Sequence, residues 1–381
     1  MNNHPDNKLK ILHLIPNLNT GGAEVLLSNL VLSLNKSNFI NTVVCLKSGG
    51  SHEARLRKHD INVLVLSFHG FLGILSGVFK LIKIFLKIKP DILQCWMYHS
   101  NLIGGLIGKF LGIKKIFWSI HSNMPDDLSS MTKLMNKFSA RFSNFIPSRI
   151  IFVSEASLTK HIKYGYSKNR SLIISNGIDT QRFNFSDNLR SEFRNRNQIS
   201  QNEFTIGMLG RYTSEKDYPN FFKSLRDIES QDIKILLAGT GINYENDDFT
   251  QLIDKYASAF KEKIRLLDEV HNTVEFFSGI DLFVISSNSE SAPVSLIEAM
   301  SMSRMIVVTD VGDCKHMLNN DDYLCKSKSP KCLADKINQS INLNSEERNL
   351  IGDLNRRRAI NLFSHDQMTA NYKASYTEAI K

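Results

Sequence analysis

The sequence predicts two doubly wound α/β domains in tandem, and three observations predict them. Short apolar runs alternate with helix-spaced segments along all 381 residues. The alternation restarts after a polar, turn-rich stretch, SNGIDTQRFNFSDN at 175–188. Composition is that of an ordinary globular protein, 42% hydrophobic and 22% charged, and the length suits two domains better than one. Alternating strands and helices build parallel sheets through βαβ units, whose ligands bind beyond the carboxyl ends of the strands. Two such domains would turn those ends toward a shared cleft.

In the first half, Lys10–Ile15 reads as a strand, residues 17–22 as a glycine turn and Ala23–Leu34 as a helix with apolar spacing. The strand NTVVCL, a charged helix around His52–His59 and the strand INVLVLS follow. A long apolar helix from about Leu72, the strand DILQCW, a helix near Leu102–Leu111 and the strands KKIFWSIH and RIIFVS complete this half. The second half repeats the plan with FTIGMLGRY, IKILLAGTG, KIRLLDEV, IDLFVISS and RMIVVTDVG as strands and helices between them. The expected boundary falls between 180 and 181.

The net charge of +9 is unevenly spread. Residues 1–180 hold 22 Lys and Arg against 9 Asp and Glu, a net +13, and the remainder is −4. A basic first half implies an anionic partner, a membrane surface or a nucleic acid, unless the charge is only a solvated surface. The most apolar stretch, GFLGILSGVFKLIKIFLKIKP at 70–90, is interrupted by Lys80, Lys83 and Lys87 well short of the ~20 residues that cross a bilayer. It reads either as an amphipathic helix lying on an anionic membrane or as a core helix with its lysines in solvent. Nucleic-acid binding would need aromatic–basic interleaving or a recognition helix, and neither is present. The five cysteines are scattered without metal-ligand spacing, and nothing at the N-terminus reads as a secretory signal, so a reduced cytosol is expected.

The stretch with the most chemistry is SESAPVSLIEAM at 289–300. Pro293 suits the first turn of a helix, which would leave the N–H groups of Val294, Ser295 and Leu296 unpaired and ready for an anion. Glu290 then sits in the loop before that helix start and Glu298 about one and a half turns inside it. Carboxylates repel phosphates but accept well from neutral hydroxyls. A nucleotide sugar satisfies all three features: sugar hydroxyls at Glu290, a diphosphate at the helix start, ribose hydroxyls at Glu298. Upstream, Arg211 and Lys216 follow a strand in GRYTSEKD, two cations suited to neutralising a departing diphosphate. In TGGAE at 20–24, Gly21 and Gly22 would let backbone approach a phosphate.

Together these residues resemble family 4 of the retaining nucleotide-sugar glycosyltransferases, which have the two-Rossmann-domain GT-B fold. The resemblance spans nearly the whole chain: TGGAE, SIHS with His121, SNGID, LGRYTSEKD, LLAGTG, the pair Glu290–Glu298 and the terminal FSHDQMTANYKASY. It implies a first domain over 1–180 on the acceptor side, a donor domain over 181–362 and a last helix, 363–381, returning to the first domain. It implies that Arg211 and Lys216 hold the donor diphosphate with backbone groups of Gly22, Val294 and Ser295. Glu298 would bind ribose, Glu290 the transferred sugar and Val270 the base, while His121 would line the reaction centre. No metal or other cofactor is implied, and the pair Asp126–Asp127 reads as a helix cap rather than a metal site.

Four residues depart from the family pattern. Ser291, Ser303 and Asp268 stand where glycine is frequent, and Met305 where proline is. The expected activity is transfer of a sugar to an acceptor hydroxyl with retained configuration. The expected acceptor is a lipid-linked glycan at the inner face of the cytoplasmic membrane, in O-antigen, capsule or exopolysaccharide assembly. A sugar-nucleotide epimerase of the same build is the alternative, and a nucleic-acid-binding protein a more distant one.

Overall fold

The structure, a computed structural model, describes residues 8–19, 21–35, 39–124, 129–230 and 232–380. The chain forms two units, Met1–Gly177 with His365–Lys381, and Ile178–Ser364.

Unit 1 is built on a parallel seven-stranded sheet of β1 (Leu9–Asn17), β2 (Phe39–Ser48), β3 (Asn62–Val65), β4 (Ile92–Trp96), β5 (Lys115–Ile120), β6 (Arg149–Phe152) and β7 (Ser171–Ile173). Their order is β3-β2-β1-β4-β5-β6-β7. Helices α1 (Gly22–Asn35), α2 (Ser51–Lys58), α3 (Gly70–Ile88), α4 (Met97–Phe110), α5 (Ser130–Phe142) and α6 (Glu155–Tyr164) make the crossovers. Right-handed crossovers place α1 and α2 on one face, because β1→β2→β3 steps one way along the sheet. They place α3 to α6 on the other face, because β3→β4→β5→β6→β7 steps back. Two separate cores result. Leu27, Leu30, Val31 and Leu34 of α1 fill one, and Leu81 and Phe85 of α3 join Tyr98 of α4 and Ala140 of α5 in the other. Fully burying one such aliphatic side chain contributes about 1.5–3 kcal/mol.

The α4 helix begins at Met97, five residues before the sequence pattern suggests. Met97 has φ of 68°, so the chain turns from β4 into α4 at one left-handed residue with no polar loop to mark the corner. The inner face of α4 carries Gly104, Gly105 and Gly108. A Cβ at Gly104 would lie 2.4 Å from a Leu14 methyl, so the helix backbone itself seats on the sheet.

Unit 2 repeats the plan with β8 (Phe204–Leu209), β9 (Ile233–Ala238), β10 (Ile264–Leu266), β11 (Leu282–Ile285), β12 (Met305–Thr309) and β13 (Leu324–Cys325), in the order β10-β9-β8-β11-β12-β13. Its helices are α7 (Asp187–Arg196), α8 (Tyr218–Ser224), α9 (Asp247–Tyr256), α10 (Thr273–Gly279), α11 (Val294–Ser301), α12 (Cys314–Leu318), α13 (Pro330–Asn342) and α14 (Ser345–Phe363). Every residue of β11 and β12 is buried, as expected of central parallel strands covered on both faces. The sequence pattern did not reveal the edge strands β7 and β13, three and two residues long, because so few residues cannot show an alternation.

The last helix, α15 (His365–Ile380), belongs to unit 1 and packs on α1. It supplies hydroxyls to polar side chains buried in the sheet. Tyr376 donates to Gln94 Oε1 at 2.9 Å, and the Tyr372 hydroxyl meets Ser119 Oγ at 3.3 Å. Without them Gln94 and Ser119 would be under-satisfied inside an apolar layer, which costs about 1–3 kcal/mol per group.

Candidate active site

In unit 2 the strand order reverses between β8 and β11, and in sheets of this kind ligands bind beyond the strand ends at such a point. The sequence-predicted residues gather on this edge. Arg211 follows β8, Lys216 lies in the turn after it, Val270 follows β10, and Glu290 sits in the loop between β11 and α11. The two loops are tied together. Ser286 Oγ donates to the Lys216 carbonyl at 2.9 Å, and Asn288 donates through its backbone N–H to the Glu215 carbonyl and through Nδ2 to that of Ser214.

The tie brings Lys216 and Glu290 into direct contact, Nζ to Oε1 at 2.6 Å, and Ser287 Oγ donates to the same oxygen at 2.7 Å. The sequence reading had set these two residues on different parts of a ligand and did not anticipate their bond. Ser287 was missed as well, since nothing marks it locally. Arg211 is exposed and makes no ion pair or side-chain hydrogen bond among the described residues. Val270 is half-buried against the core.

Gly312 is a further residue that the sequence reading missed. Its φ is 58°, and a Cβ there would lie 2.2 Å from the Glu290 carbonyl oxygen. The loop after β12 therefore props the Glu290 loop, and Asp313 N–H donates to the Ser291 carbonyl at 2.9 Å. A glycine in the loop after a strand, where backbone can approach closely, was the available signal.

Helix α11 starts one residue later than expected. Pro293 is its N-cap, with ψ of 123°, rather than its first helical residue. The Pro293 carbonyl takes the N–H of Leu296 at 3.2 Å, so Leu296 is withdrawn from the expected anion site. Val294 and Ser295 keep their N–H groups at the positive end of the helix. Glu298 is half-buried on the same helix, and desolvation pushes its carboxyl up to about 8, with Arg182 the opposing influence. At neutral pH it is therefore largely protonated and can donate as well as accept, which suits a diol better than a carboxylate that only accepts. Arg182, unmarked in the sequence reading, is placed by Asp179, whose side chain accepts from the N–H groups of Gln181 and Arg182 at 3.0 Å.

The departures from the family pattern have a backbone signature. Asp268 and Ser303 have φ of 53° and 55°, the left-handed region that glycine enters freely. Asp268 is held there by Asn243, whose Nδ2 donates to its carboxylate at 3.3 Å, and by the N–H of Gly239, which donates to its carbonyl at 2.8 Å.

Unit 1 carries the other two predicted residues at the ends of β1 and β5. Gly22 opens α1 with nothing within 4 Å of where a Cβ would stand, so its surface is unobstructed. His121 stacks on Trp96, ring centroids 5.1 Å apart, and burial lowers its pKa to about 4. Both its ring nitrogens are buried with no hydrogen-bond partner among the described residues. A neutral imidazole with two unspent polar atoms is costly unless something else engages it.

The surroundings hold His121 in place through two networks. Trp96 Nε1 donates to His13 Nδ1 at 3.3 Å, which fixes the tautomer of His13 with its proton on Nε2, facing Asn41 Oδ1 at 3.1 Å. On the other side, Tyr98 OH bridges Ser122 Oγ at 2.8 Å and His161 Nε2 at 2.7 Å, while Ser157 Oγ donates to the Ser122 carbonyl. His161 Nδ1 donates to the Ser157 carbonyl at 2.7 Å, so Tyr98 donates to Nε2 and accepts from Ser122. Asp126 and Asp127 lie outside the described residues, and the cap of α5 is Ser129, whose Oγ accepts from Thr132 N–H at 3.2 Å.

Comparison with known proteins defines the class. A model described as Glycosyltransferase Family 4 matches residues 20–182, and one described as Glycosyl transferases group 1 matches 190–358. With its two parallel-sheet units, the chain belongs with the GT-B glycosyltransferases of the family 4 type.

Among relatives, it is 23% identical over 317 residues to the capsular polysaccharide biosynthesis glycosyltransferase CapM of Staphylococcus aureus, covering 81% of this chain and 82% of CapM. It is 25% identical over 352 residues, 86% of this chain and 88% of the relative, to the N,N'-diacetylbacillosaminyl-diphospho-undecaprenol alpha-1,3-N-acetylgalactosaminyltransferase of Campylobacter jejuni. Among solved structures, Anabaena Alr3699/HepE in complex with UDP superposes with a TM-score of 0.85 at 19% identity, covering 97% of this chain and 100% of that one.

Proposed function

We propose that the chain transfers a hexose-type sugar from a nucleoside diphosphate sugar to a hydroxyl of a lipid-linked glycan, with retention of anomeric configuration, in assembly of a bacterial surface polysaccharide. The observation that carries the reading is the Lys216–Glu290 contact beyond the ends of β8 and β11, in the loops that lead to the start of α11, the helix that carries Glu298. A cation, two backbone N–H groups at a helix start and two carboxyl groups are the kinds of group that a diphosphate flanked by two hydroxyl-bearing sugars would engage. Support for the donor class comes from HepE, solved with UDP, and for the acceptor class from the Campylobacter relative, named for an undecaprenol diphosphate acceptor.

In this reading Arg211 and Lys216, with the N–H groups of Val294 and Ser295, stabilise charge on the departing diphosphate, the main contribution of the protein to rate. Glu290, released from Lys216 when the diphosphate arrives, accepts from hydroxyls of the transferred sugar. Glu298 reads the ribose, and Val270 packs on the base. Unit 1 supplies two further candidates, Gly22 for a phosphate contact and His121 as a neutral hydrogen-bonding group at the reaction centre. The departing phosphate takes the acceptor proton on the face it leaves, which gives retention without a protein nucleophile. No metal is assigned a role.

No described helix is long and apolar enough to cross a membrane. We place the protein at the inner face of the cytoplasmic membrane, held peripherally by its basic first unit. The epimerase and nucleic-acid alternatives draw no support from the relatives.

The test is a panel of nucleotide sugars screened by thermal stabilisation, since a ligand at 100 times its Kd stabilises by about 2.7 kcal/mol. The hit is then incubated with undecaprenyl diphosphate glycans, and the product anomer is read by NMR. Stabilisation by one nucleotide sugar and a product that keeps the anomeric configuration of the donor are expected. No stabilisation by any donor, an inverted product, or an epimer formed without acceptor would each overturn the proposal.

A further inference from the structure

Unit 2 has a second concavity, at the opposite edge of its sheet from Arg211, Lys216 and Glu290. A cavity of about 840 Å³ opens among residues that stand at the amino ends of three parallel strands. Phe204 begins β8, Asp281 directly precedes β11, and Ser303 and Arg304 directly precede β12. Arg211, Lys216 and Glu290 follow the carboxyl ends of the first two of these strands. Since β8 has six residues, the two edges lie roughly 20 Å apart. The volume is that of a small-molecule site, and most of the side chains around it are polar or charged.

Two arginines in its wall carry charge that no carboxylate in contact answers. Arg304 spends Nε on the Met302 carbonyl at 2.8 Å and one terminal nitrogen on the Ile280 carbonyl at 2.9 Å. Arg348 spends one terminal nitrogen on the carbonyls of Ile341 and Leu343. The other terminal nitrogen of each, and Nε of Arg348, make no hydrogen bond among the described residues, and neither guanidinium forms an ion pair there. Rings hold both in place, since Arg304 lies 4.4 Å over Phe185 and Arg348 5.1 Å over Phe204. Burial lowers the pKa of Arg304 to about 10, with Asp281 opposing, so a half-buried cation has been kept without a carboxylate in contact. A charge taken out of water without a counter-ion is costly, and a bound anion would offset that cost.

The carboxylates around the cavity are of two kinds. Asp281 is spent: Oδ1 accepts from Arg190 at 2.7 Å, and Oδ2 from the Thr205 N–H at 2.8 Å and from Arg194 at 3.4 Å. Two guanidiniums on one carboxylate leave that cluster net positive. Asp187 and Asp353 are exposed, and Glu203 is half-buried with Oε2 accepting from the Ser200 N–H. These three repel a bare anion but accept well from neutral hydroxyls. We infer that the cavity is a second ligand site of unit 2, for an acidic sugar whose carboxylate or phosphate meets Arg304 and Arg348 and whose hydroxyls meet Asp187, Glu203 and Asp353. A metal cation would face two unanswered guanidiniums. An apolar ligand would strip water from every charge present, and a bare anion would leave the three carboxylates unused.

The inference does not rest on the donor reading, and the experiment keeps the two apart. The full chain is titrated in a calorimeter with glucuronic acid, glucose 6-phosphate, inorganic phosphate and glucose, each with and without excess UDP. One site per chain for an acidic sugar, filled whether or not UDP is present, is expected, and the tighter of the first two probes names the acid group. Glucose and inorganic phosphate, each lacking half of what the cavity recognises, bind at least about ten-fold more weakly. Arg304→Gln and Arg348→Gln each lower affinity for the acidic sugar about ten-fold or more. Asp353→Ala lowers it too, while inorganic phosphate binds that variant no more weakly than wild type. If Arg304→Gln fails to fold, Arg348→Gln and Asp353→Ala decide the matter. Failure of both acidic sugars to bind, glucose or phosphate binding as tightly as they do, displacement by UDP, or unchanged affinity in Arg348→Gln would each overturn the inference. Absence of UDP binding would count against the donor reading alone.

Discussion

The two units share a sheet topology and differ in how they handle ionisable groups. Around its central strands, unit 1 buries three histidines that burial holds neutral: His13, His121 and His161, each with its pKa lowered to about 4. In unit 2 the largest displaced carboxyl is Glu298, raised to about 8. Surfaces differ as well. The ion pairs of unit 1 are Arg57–Glu53 and Arg149–Glu378, among the described residues, whereas those of unit 2 include Arg190–Asp281, Arg196–Glu275, Lys216–Glu290 and Lys261–Asp254. One scaffold has been given a basic excess and buried neutral bases, the other more ion pairs and one protonated acid. Topology sets where a site can be, and ionisation sets what it can hold.

The sharpest way to break this comparison is pH. A histidine whose folded pKa is depressed binds fewer protons than the unfolded chain between about 4 and 6.5, so its stability contribution is lost as pH falls through that window. Each of the three accounts for up to about 3 kcal/mol, the largest effect expected here. Hydrogen exchange between pH 7 and 4.5 should show β1, β4 and β5 losing protection before β8, β11 and β12. Simultaneous loss in both sheets would erase the contrast.

Next in size is Lys216→Ala, which should lower transfer by about 10²–10³ in kcat, by analogy with removing one donor to a developing negative charge. Wild-type turnover would remove Lys216 from the site. Tyr98→Phe comes third. It deletes the bridge between Ser122 and His161 and strands the buried His161 Nε2, at a cost of about 1–3 kcal/mol in denaturant unfolding. Donor stabilisation by UDP should persist in this variant if unit 2 alone supplies the main grip on the diphosphate.

Glu298→Gln tests the opposite sign in unit 2. A carboxyl whose folded pKa is raised binds more protons than the unfolded chain between about 4.5 and 8, so wild-type stability declines as pH rises through that range. The variant should therefore be more stable than wild type at pH 8.5, by a margin that shrinks to nothing near pH 4.5. Thermal melts at the two pH values decide it. The smallest effect is Ser303→Gly, which relieves a left-handed residue and should stabilise by about 1 kcal/mol, net of the added freedom of the unfolded chain. Destabilisation would mean that the Ser303 side chain contributes more than its backbone costs.

Much of this protein was legible from local pattern. Period-two and helix-spaced apolar runs marked the sheets, and Glu290 and Glu298 could be set beside a helix start because eight residues of one segment fix their relation. Local pattern failed where a feature was too short or too distant to leave a trace. Strand β13 has two residues, and the corner at Met97 depends on one dihedral angle.

The sequence by itself determined the two-sheet architecture, the basic first half and the position of the helix start after Pro293, because each is a property of residues near one another along the chain. Tertiary structure alone decided that Lys216 bonds Glu290, 74 residues away, and that Tyr98 joins Ser122 to His161. Those pairings follow from strand order. Parallel strands that are neighbours in the sheet bring their following loops together whatever their separation in sequence, and only the folded sheet fixes which strands are neighbours.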